Sequence, residues 1–559
     1  HRLSYITNGK DAFLWFSYAP FPFFIKNKHS MTKRFLSAVL LTLAVCPFNA
    51  AEIFTGYDID AIVAKMSLEQ KARLLVGSEG KNDGLSHIVP GAAGWTYEIP
   101  ALGIPSINLA DGPVGVRINP VTSHDVKTEY DSQGLPVASS STSDITDGGN
   151  RSFCTCFPST TALAATWDIN AAALQGKCMA DEAKAYGVDI ILAPGINIMR
   201  NPLCGRNFEY FSEDPMLTGK LAAHLIRAIQ KNEIGTSLKH FVANNQQTGK
   251  KVNDARITQR ALREIYLKGF EICVKEADPW TVMGSYNKIA GQFTQTSMEL
   301  MQRLLRDEWG YNGLVLTDWT VRRPTVDLIN ARCSLIMPGD EEIVNEIIEA
   351  VNNGKLSMEA VDACVKDVLG IVAKSITAKG WQASRPNLEY NAEASRKIAT
   401  EAMVLLKNEK QSLPLKQGAK IALFGVTAYK SIAGGTGSSN VNKPYITDIS
   451  TGLENAGYPI NSRLAEIYKK YADFRTAFDD KFPDCPDWQK ISYHRTVAPE
   501  MDLTGKEALI SEELEKSDVA VVVLGRGSGE TSDRSIENDF NLTAEELSMI
   551  NKVGAACRK

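Results

Sequence analysis

The chain reads as an α/β protein in two units, a (β/α)8, TIM-like barrel and, after it, a smaller α/β unit. Three observations predict this. Short, continuously apolar runs recur between amphipathic helical stretches over roughly 300 residues, as parallel strands do when both faces are buried under helices. Several runs end on a charged or hydrogen-bonding residue, which is where barrel strands open onto the mouth. The pattern lapses from Trp381 to Asn391, where Pro386 interrupts it, and alternation resumes with Lys420–Gly425. At 559 residues the chain is long enough for two or three domains.

The run that anchors the reading is Leu314–Leu316, followed by Thr317, Asp318 and Trp319. A carboxylate beside an indole at the end of a buried strand makes Asp318 the first candidate for chemistry. The plainer alternative is that Asp318 caps the next helix.

Residues 1–30 begin with His1 rather than Met and precede an export-like segment, so they are set outside the fold. Met31–Arg34 is a basic start, Phe35–Val45 a short apolar core, and Asn49–Ala51 offers small residues for cleavage. This predicts a signal peptide over 31–50, a mature chain from near Ala51, and a periplasmic or secreted destination. The apolar core is too short to span a bilayer as a mature helix. Hydrophobic residues at 44% and charged residues at 23% are ordinary globular composition. A net charge of -4 without any basic, aromatic-interleaved patch argues against a nucleic-acid partner. Nine of the ten cysteines follow Cys46, and an odd number in an exported chain leaves at least one outside intramolecular pairs. Cys154–Cys156 has no second pair at metal-like spacing, so no structural zinc is expected.

Taken in order, Ile59, Ile62, Val63 and Met66 mark a helix, and Ser67 caps a second one. Ile104–Asp111 is a strand ending on a carboxylate, although an Asp before Gly112–Pro113 is also a good turn starter. Residues 120–156, rich in Ser, Thr, Asp and Gly, read as a surface excursion. A helix follows around Ala162–Ala185, then strands at Asp189–Pro194, Gly235–Phe241, Thr281–Asn287 and Leu335–Gly339. Helices such as Leu262–Val274 and Met298–Trp309 lie between them. Asp111, Lys239, His240, Tyr286 and Asp318 thus fall at the same end of successive strands and should converge. Taken singly, His240 reads equally as a core histidine, and Arg206 as an ion-pair partner of Glu209 or Glu213.

The second unit is expected to open with a helix from Ala392 to Leu406 and to contain buried parallel strands at Lys420–Gly425 and Asp518–Gly525. Gly434–Ser439 carries no lysine in a phosphate-loop position, which argues against a nucleotide cradle. The second strand runs into Arg526–Arg534, a loop that offers Glu530 with Asp533 as a nearby competitor. A doubly wound unit needs more strands than remain before Lys559, so its C-terminal side is expected to be missing.

Lys239–Phe241, with Gly205–Pro215 before it and Leu316–Trp319 after it, resembles glycoside hydrolase family three, the family of many bacterial β-glucosidases and β-xylosidases. Agreement continues through Asp111–Pro113, Gly284–Asn287, Val404–Asn408 and Ser528–Glu530, in the family's order. The resemblance implies a catalytic barrel over 52–385, a linker over 386–395 and an α/β sandwich, truncated, over 396–559. It implies an exo-acting retaining β-glycosidase, foremost a β-glucosidase, with Asp318 as nucleophile and Glu530 as acid/base. Asp111, Arg206, Lys239, His240 and Tyr286 would grip the non-reducing-end sugar, with Trp319 against its ring. The implied partner is an oligosaccharide or other β-glycoside, and neither metal nor organic cofactor is implied. A β-xylosidase or α-L-arabinofuranosidase would differ in how the pocket treats the C6 group. A non-catalytic carbohydrate-binding homologue would have no need of the carboxylate pair, and a phosphorylase would need phosphate. Val242–Gln247 contains no histidine, unlike the branch that cleaves N-acetylglucosaminides with a histidine acid/base. Ala331–Ser334 departs from the small and acidic residues usual before Met337–Gly339.

The chemistry such a site performs needs one ionised carboxyl and one protonated carboxyl, about 5 to 5.5 Å apart. Lys239, His240 and Arg206 are expected to favour the Asp318 anion, while Glu530, on a glycine-rich loop folding over the sugar, is expected to be desolvated and to hold its proton.

Overall fold

The apolar runs pair edge to edge and close on themselves. The computed structural model describes residues 58–78, 89, 91–119, 126–130, 136–141, 152–320, 322–409, 411–435, 437–476, 498–527, 529–530 and 532–557. The segments expected to lie upstream (1–30) and to direct export (31–50) fall outside the described residues. Six strands share one sheet in the order β1 (Gly94–Trp95), β2 (Asn108–Asp111), β3 (Ile190–Leu192), β4 (Gly235–Phe241), β5 (Thr281–Gly284) and β6 (Leu314–Leu316). From β2 to β6 neighbours are parallel, whereas β1 runs antiparallel to β2. Single bridges finish the ring: Leu316 to Leu335 and Ile336 to Val76 in parallel, and Ser78 to Trp95 antiparallel. Six strands and the two staves at Val76–Ser78 and Leu335–Ile336 make eight, so the barrel closes and leaves no edge. The reversed second stave is the departure from an all-parallel barrel. An antiparallel return needs no crossover helix.

Outside the strands, helices Ile169–Tyr186, Pro215–Lys231 and Lys268–Ala277 pack as neighbours. Local chemistry fixes their starts: Asp168 and Asp214 accept hydrogen bonds from first-turn backbone N–H groups, and Ser67 forms a capping box with Gln70. The helix expected over 162–185 is two helices, Thr160–Ala165 and Ile169–Tyr186, broken at Trp167, whose φ is 54°. The excursion over 120–156 contains a hairpin of Val126–Tyr130 with Pro136–Ser141.

The stretch 386–395, expected as a linker, carries most of a helix turn by turn: Leu388–Glu401 starts from an Asn387 cap. Its Ala394 and Ile398 join the barrel core, and Asn391 Nδ2 donates to the buried Glu182 Oε1 at 2.8 Å. The helix expected to continue to Leu406 stops at Glu401, and Met403–Leu406 run on exposed and non-helical.

The second unit has its own core, in which Ile421, Leu423, Phe424, Tyr468 and Met549 pack together. Strands β7 (Ile421–Phe424) and β8 (Val519–Val522) are parallel, and Ile460 bridges to Ile421 on the other side. β8 was expected to be buried and is half-buried, because among the described residues it pairs with β7 alone. Among the described residues Cys154, Cys156, Cys178, Cys204, Cys273, Cys333 and Cys364 are free thiols. No described helix is long and apolar enough to cross a membrane.

Candidate active site

Parallel strands deliver their last polar residues to one mouth. β2 ends at Asp111, β4 carries Lys239 and His240, Tyr286 lies two residues past β5, and Asp318 two residues past β6. Lys239, His240, Tyr286 and Asp318 are all buried. Asp318 is not a helix cap: the next helix, Thr325–Asn330, begins at Pro324. Instead Oδ1 accepts from the Trp319 N–H at 2.8 Å, and Oδ2 has no hydrogen-bond partner among the described residues. A buried carboxylate oxygen without a partner is expensive to keep, and here it faces the site. The half-buried Trp319 donates from Nε1 to the Ala93 carbonyl at 2.9 Å, which ties the end of β6 to the approach to β1.

His240 Nε2 lies 3.7 Å from Asp318 Oδ2. Its protonation follows from a neighbour. Asn197 Nδ2 donates to the His240 carbonyl at 2.9 Å and its Oδ1 accepts from the His240 backbone N–H at 3.0 Å, which fixes the amide's orientation. The same Oδ1 stands 3.2 Å from His240 Nδ1, so Nδ1 carries the proton and Nε2 is the acceptor. Burial, with Arg206, Lys239 and Lys250 nearby, pushes the imidazole well below its ordinary pKa, so the ring is neutral. His240 is therefore both a satisfied core histidine and a group whose free nitrogen looks into the site.

Glu530 reaches this mouth from the second unit. Its Oε1 lies 3.1 Å from Lys250 Nζ and 3.4 Å from Arg206 Nη1, and its Oε2 accepts from the Ser438 backbone N–H at 3.5 Å. Arg206, buried, also pairs with Glu209, one of the two ion-pair partners expected for it, while its Nη1 reaches Glu530. Lys250 Nζ sits 4.4 Å over the Tyr286 ring. Asp111 Oδ2 pairs with Arg117 Nη1 at 3.1 Å. The buried Lys239 ammonium acts on Asp111, Asp318 and Glu530 through its charge.

The electrostatics of the two carboxyls run opposite to the sequence expectation. Burial raises the Asp318 pKa, and the pull of Arg206 and Lys250 only partly offsets it. Burial also opposes ionisation of Glu530, but Arg206 and Lys250 outweigh it and hold the carboxyl well below the usual range. The reason is distance. Both cations touch Glu530, whereas the only basic side chain within 4 Å of Asp318, among the described residues, is the neutral His240.

All eight candidate residues belong to this one region. Sequence reading missed Arg117, Asn197, Lys250 and Ser438, which complete it. Asn197 was within reach, since it follows the end of β3 as Tyr286 follows β5. Lys250 lies in a turn without regular pattern, and Ser438 contributes only a backbone N–H, which no side-chain code reveals.

A closed α/β barrel whose mouth is completed by a carboxylate from a following α/β lobe defines a two-lobed architecture with one shared polar site. Residues 119–371 match the Glycosyl hydrolase family 3 N terminal domain and residues 403–559 the Glycosyl hydrolase family 3 C-terminal domain; the chain belongs to glycoside hydrolase family 3. It is 38% identical over 405 residues to thermostable beta-glucosidase B of Acetivibrio thermocellus, covering 72% of this chain and 49% of that protein. It is 31% identical over 504 residues to the exo-alpha-(1->6)-L-arabinopyranosidase of Bifidobacterium longum, covering 88% of this chain and 58% of that one. The chain thus spans about half the length of these relatives. Beta-glucosidase 3B of Thermotoga neapolitana, solved with alpha-D-glucose, superposes with a TM-score of 0.80 at 36% identity, covering 89% of this chain and 67% of that structure.

Proposed function

We propose that this chain is an exo-acting retaining β-glucosidase, with Asp318 as nucleophile and Glu530 as acid/base. The observation that carries the proposal is that two carboxyls from separate units meet at one barrel mouth, Glu530 in contact with Arg206 and Lys250 and Asp318 within the reach of their charge. Asp318 Oδ2 attacks the anomeric carbon as the bond to the leaving oxygen breaks, and the Glu530 proton passes to that oxygen. Water then attacks the glycosyl ester, gives its proton to Glu530, and frees Asp318.

The electrostatics fit the second step directly. Glu530 raises the Asp318 pKa, and such coupling is reciprocal, so loss of the Asp318 charge in the ester lowers the Glu530 pKa. It becomes a carboxylate when a base is needed. For the first step, sugar hydroxyls accept hydrogen bonds from Lys250 and Arg206 and so weaken their hold on Glu530. Asp111, Lys239, the free Nε2 of His240 and Tyr286 are the remaining groups for the sugar's hydroxyls. Trp319 offers an apolar surface.

The test is hydrolysis of aryl β-glucoside, β-xyloside and α-L-arabinopyranoside by the full chain. Glucoside is expected to be the best substrate. Asp318→Asn lowers kcat at least about 10³-fold, and Glu530→Gln lowers it on the order of 10²-fold or more for poor leaving groups. Unchanged turnover in both variants removes the assignment. Preference for arabinopyranoside would move the specificity toward the Bifidobacterium relative and leave the chemistry in place. The segment 31–50 supports a periplasmic or secreted location, which cell fractionation with an antibody to the chain tests.

A further inference from the structure

Glu530 sits on a loop, and a loop carboxylate can serve as acid/base only if something sets its position to within a fraction of an ångström. The residue that does this for Glu530 is three positions along. Asp533 Oδ1 accepts from the Gly205 backbone N–H at 3.1 Å and the Gln247 N–H at 2.8 Å, and Oδ2 accepts from the Thr248 N–H at 2.9 Å. One carboxylate from the second unit therefore gathers three N–H groups from two separate barrel loops. Those are the loops that carry Arg206 and Lys250, the two cations on Glu530.

Two further contacts make the seat specific. The Arg534 N–H donates to the Leu203 carbonyl at 2.7 Å. Gly205 has no room for a side chain: a Cβ there would lie 1.9 Å from the Ser532 carbonyl oxygen and 2.4 Å from that of Gly529. The Glu530 loop is thus pressed backbone to backbone against the Arg206 loop, with Asp533 as its charged fastener.

We infer that Asp533 is a positioning residue for the proton-donating step: it sets Glu530 and both of its cationic partners in one frame, without itself contacting the substrate. The inference rests on the reading of Glu530 as acid/base. A carboxylate is required because two oxygens must accept three N–H donors, and an amide offers one accepting oxygen and presents an NH₂ to the remaining donor.

The experiment compares Asp533→Ala, Asp533→Asn and Glu530→Gln in the full chain, using an aryl β-glucoside with a poor leaving group and 2,4-dinitrophenyl β-glucoside, whose leaving group needs little protonation. Far-UV circular dichroism and Tm are followed for each. If Asp533 positions the acid, Asp533→Ala loses on the order of 10²-fold in kcat/KM on the poor leaving group and only a few-fold on the dinitrophenyl glucoside. Asp533→Asn falls between it and the parent. A merely structural role lowers both substrates equally, in step with the folded fraction, and that result overturns the inference, as does an unchanged rate on both. Glu530→Gln separates the two claims. If it shows the leaving-group dependence and Asp533→Ala does not, the positioning role fails alone; if Glu530→Gln shows none, the acid/base assignment itself is wrong.

Discussion

Lys250 stands where three groups of the site meet, 3.1 Å from Glu530 Oε1, 4.4 Å above the Tyr286 ring, and close enough for its charge to lower the pKa of Asp318. Replacing it by methionine keeps the stem and removes the charge. The ionised forms of Asp318 and Glu530 both lose a stabilising neighbour, so both pKa values rise. The expected outcome for Lys250→Met is a kcat/KM profile on aryl β-glucoside whose limbs move to higher pH by about one unit; Lys250→Arg should keep the parent profile. A profile that stays in place in the methionine variant would detach Lys250 from the carboxyls. This residue also shows where sequence reading stops. Asp111, Lys239, His240, Tyr286 and Asp318 announce themselves because each ends an apolar run. Lys250 acts through contacts between units distant in the chain, and nothing in its local composition marks it; Asp533 shows in the sequence only as a competitor of Glu530, and its contacts to Gly205, Gln247 and Thr248 come from the fold. The polarity of Asp318 against Glu530 was read in reverse for the same reason, since it depends on which carboxyl the cations touch.

Strands and helix starts were the readable elements, because burial on both faces and a capping side chain are local chemistry. What came out differently was decided by pairing. The stave Gly94–Trp95 returns antiparallel, and the stretch after Pro386 becomes a helix because the barrel offers Ala394 and Ile398 a place in its core. One buried carboxylate ties such elements together. Asp189, just before β3, accepts from the Asn108 N–H of β2 at 2.8 Å and from the Thr377 N–H and hydroxyl at 2.9 and 2.8 Å. Burial raises its pKa to about 6 from 3.8 despite these donors. A native pKa above the unfolded value means that the folded chain binds this proton more tightly. The contribution to stability is fully present below the unfolded pKa and is lost as pH rises through about 6. Two units correspond to about 3 kcal/mol. Asp189→Asn removes the titration, so the stability difference between parent and variant should change by about that amount between pH near 4 and pH near 7, in favour of the variant at the higher pH. Chemical denaturation at a series of pH values measures it, and a difference that stays flat with pH would show that Asp189 does not titrate in that range.

The two units bury their apolar residues in separate cores, and they are unequal. The barrel's sheet closes on itself, so its strands are sealed at both edges. In the second unit the described strands form a short open sheet, β8 is half-buried, and the apolar side chains of Met403–Leu406, Leu524 and Leu547 are exposed. Local opening is drawn from regions with few buried apolar contacts, so the second unit should loosen before the barrel does. Glu530 sits on that unit, whereas six of the eight tryptophans, Trp95, Trp167, Trp280, Trp309, Trp319 and Trp381, belong to the barrel; of the others, Trp15 and Trp488 lie outside the described residues, and Trp488, in the second unit, is replaced by phenylalanine for this measurement. The molecule therefore carries its own reporters. On a slow thermal ramp, hydrolysis of an aryl β-glucoside should be lost several degrees below the change in tryptophan fluorescence, since a shift of about 1 kcal/mol moves a transition by a few degrees in a unit of this size. Asp533→Ala, which unfastens the loop from the barrel, should widen the gap by lowering the loss of activity while the fluorescence midpoint stays in place. Coincident midpoints for activity and fluorescence in both proteins would mean that the units unfold as one, and that the seat beneath Glu530 is as stable as the barrel on which it rests.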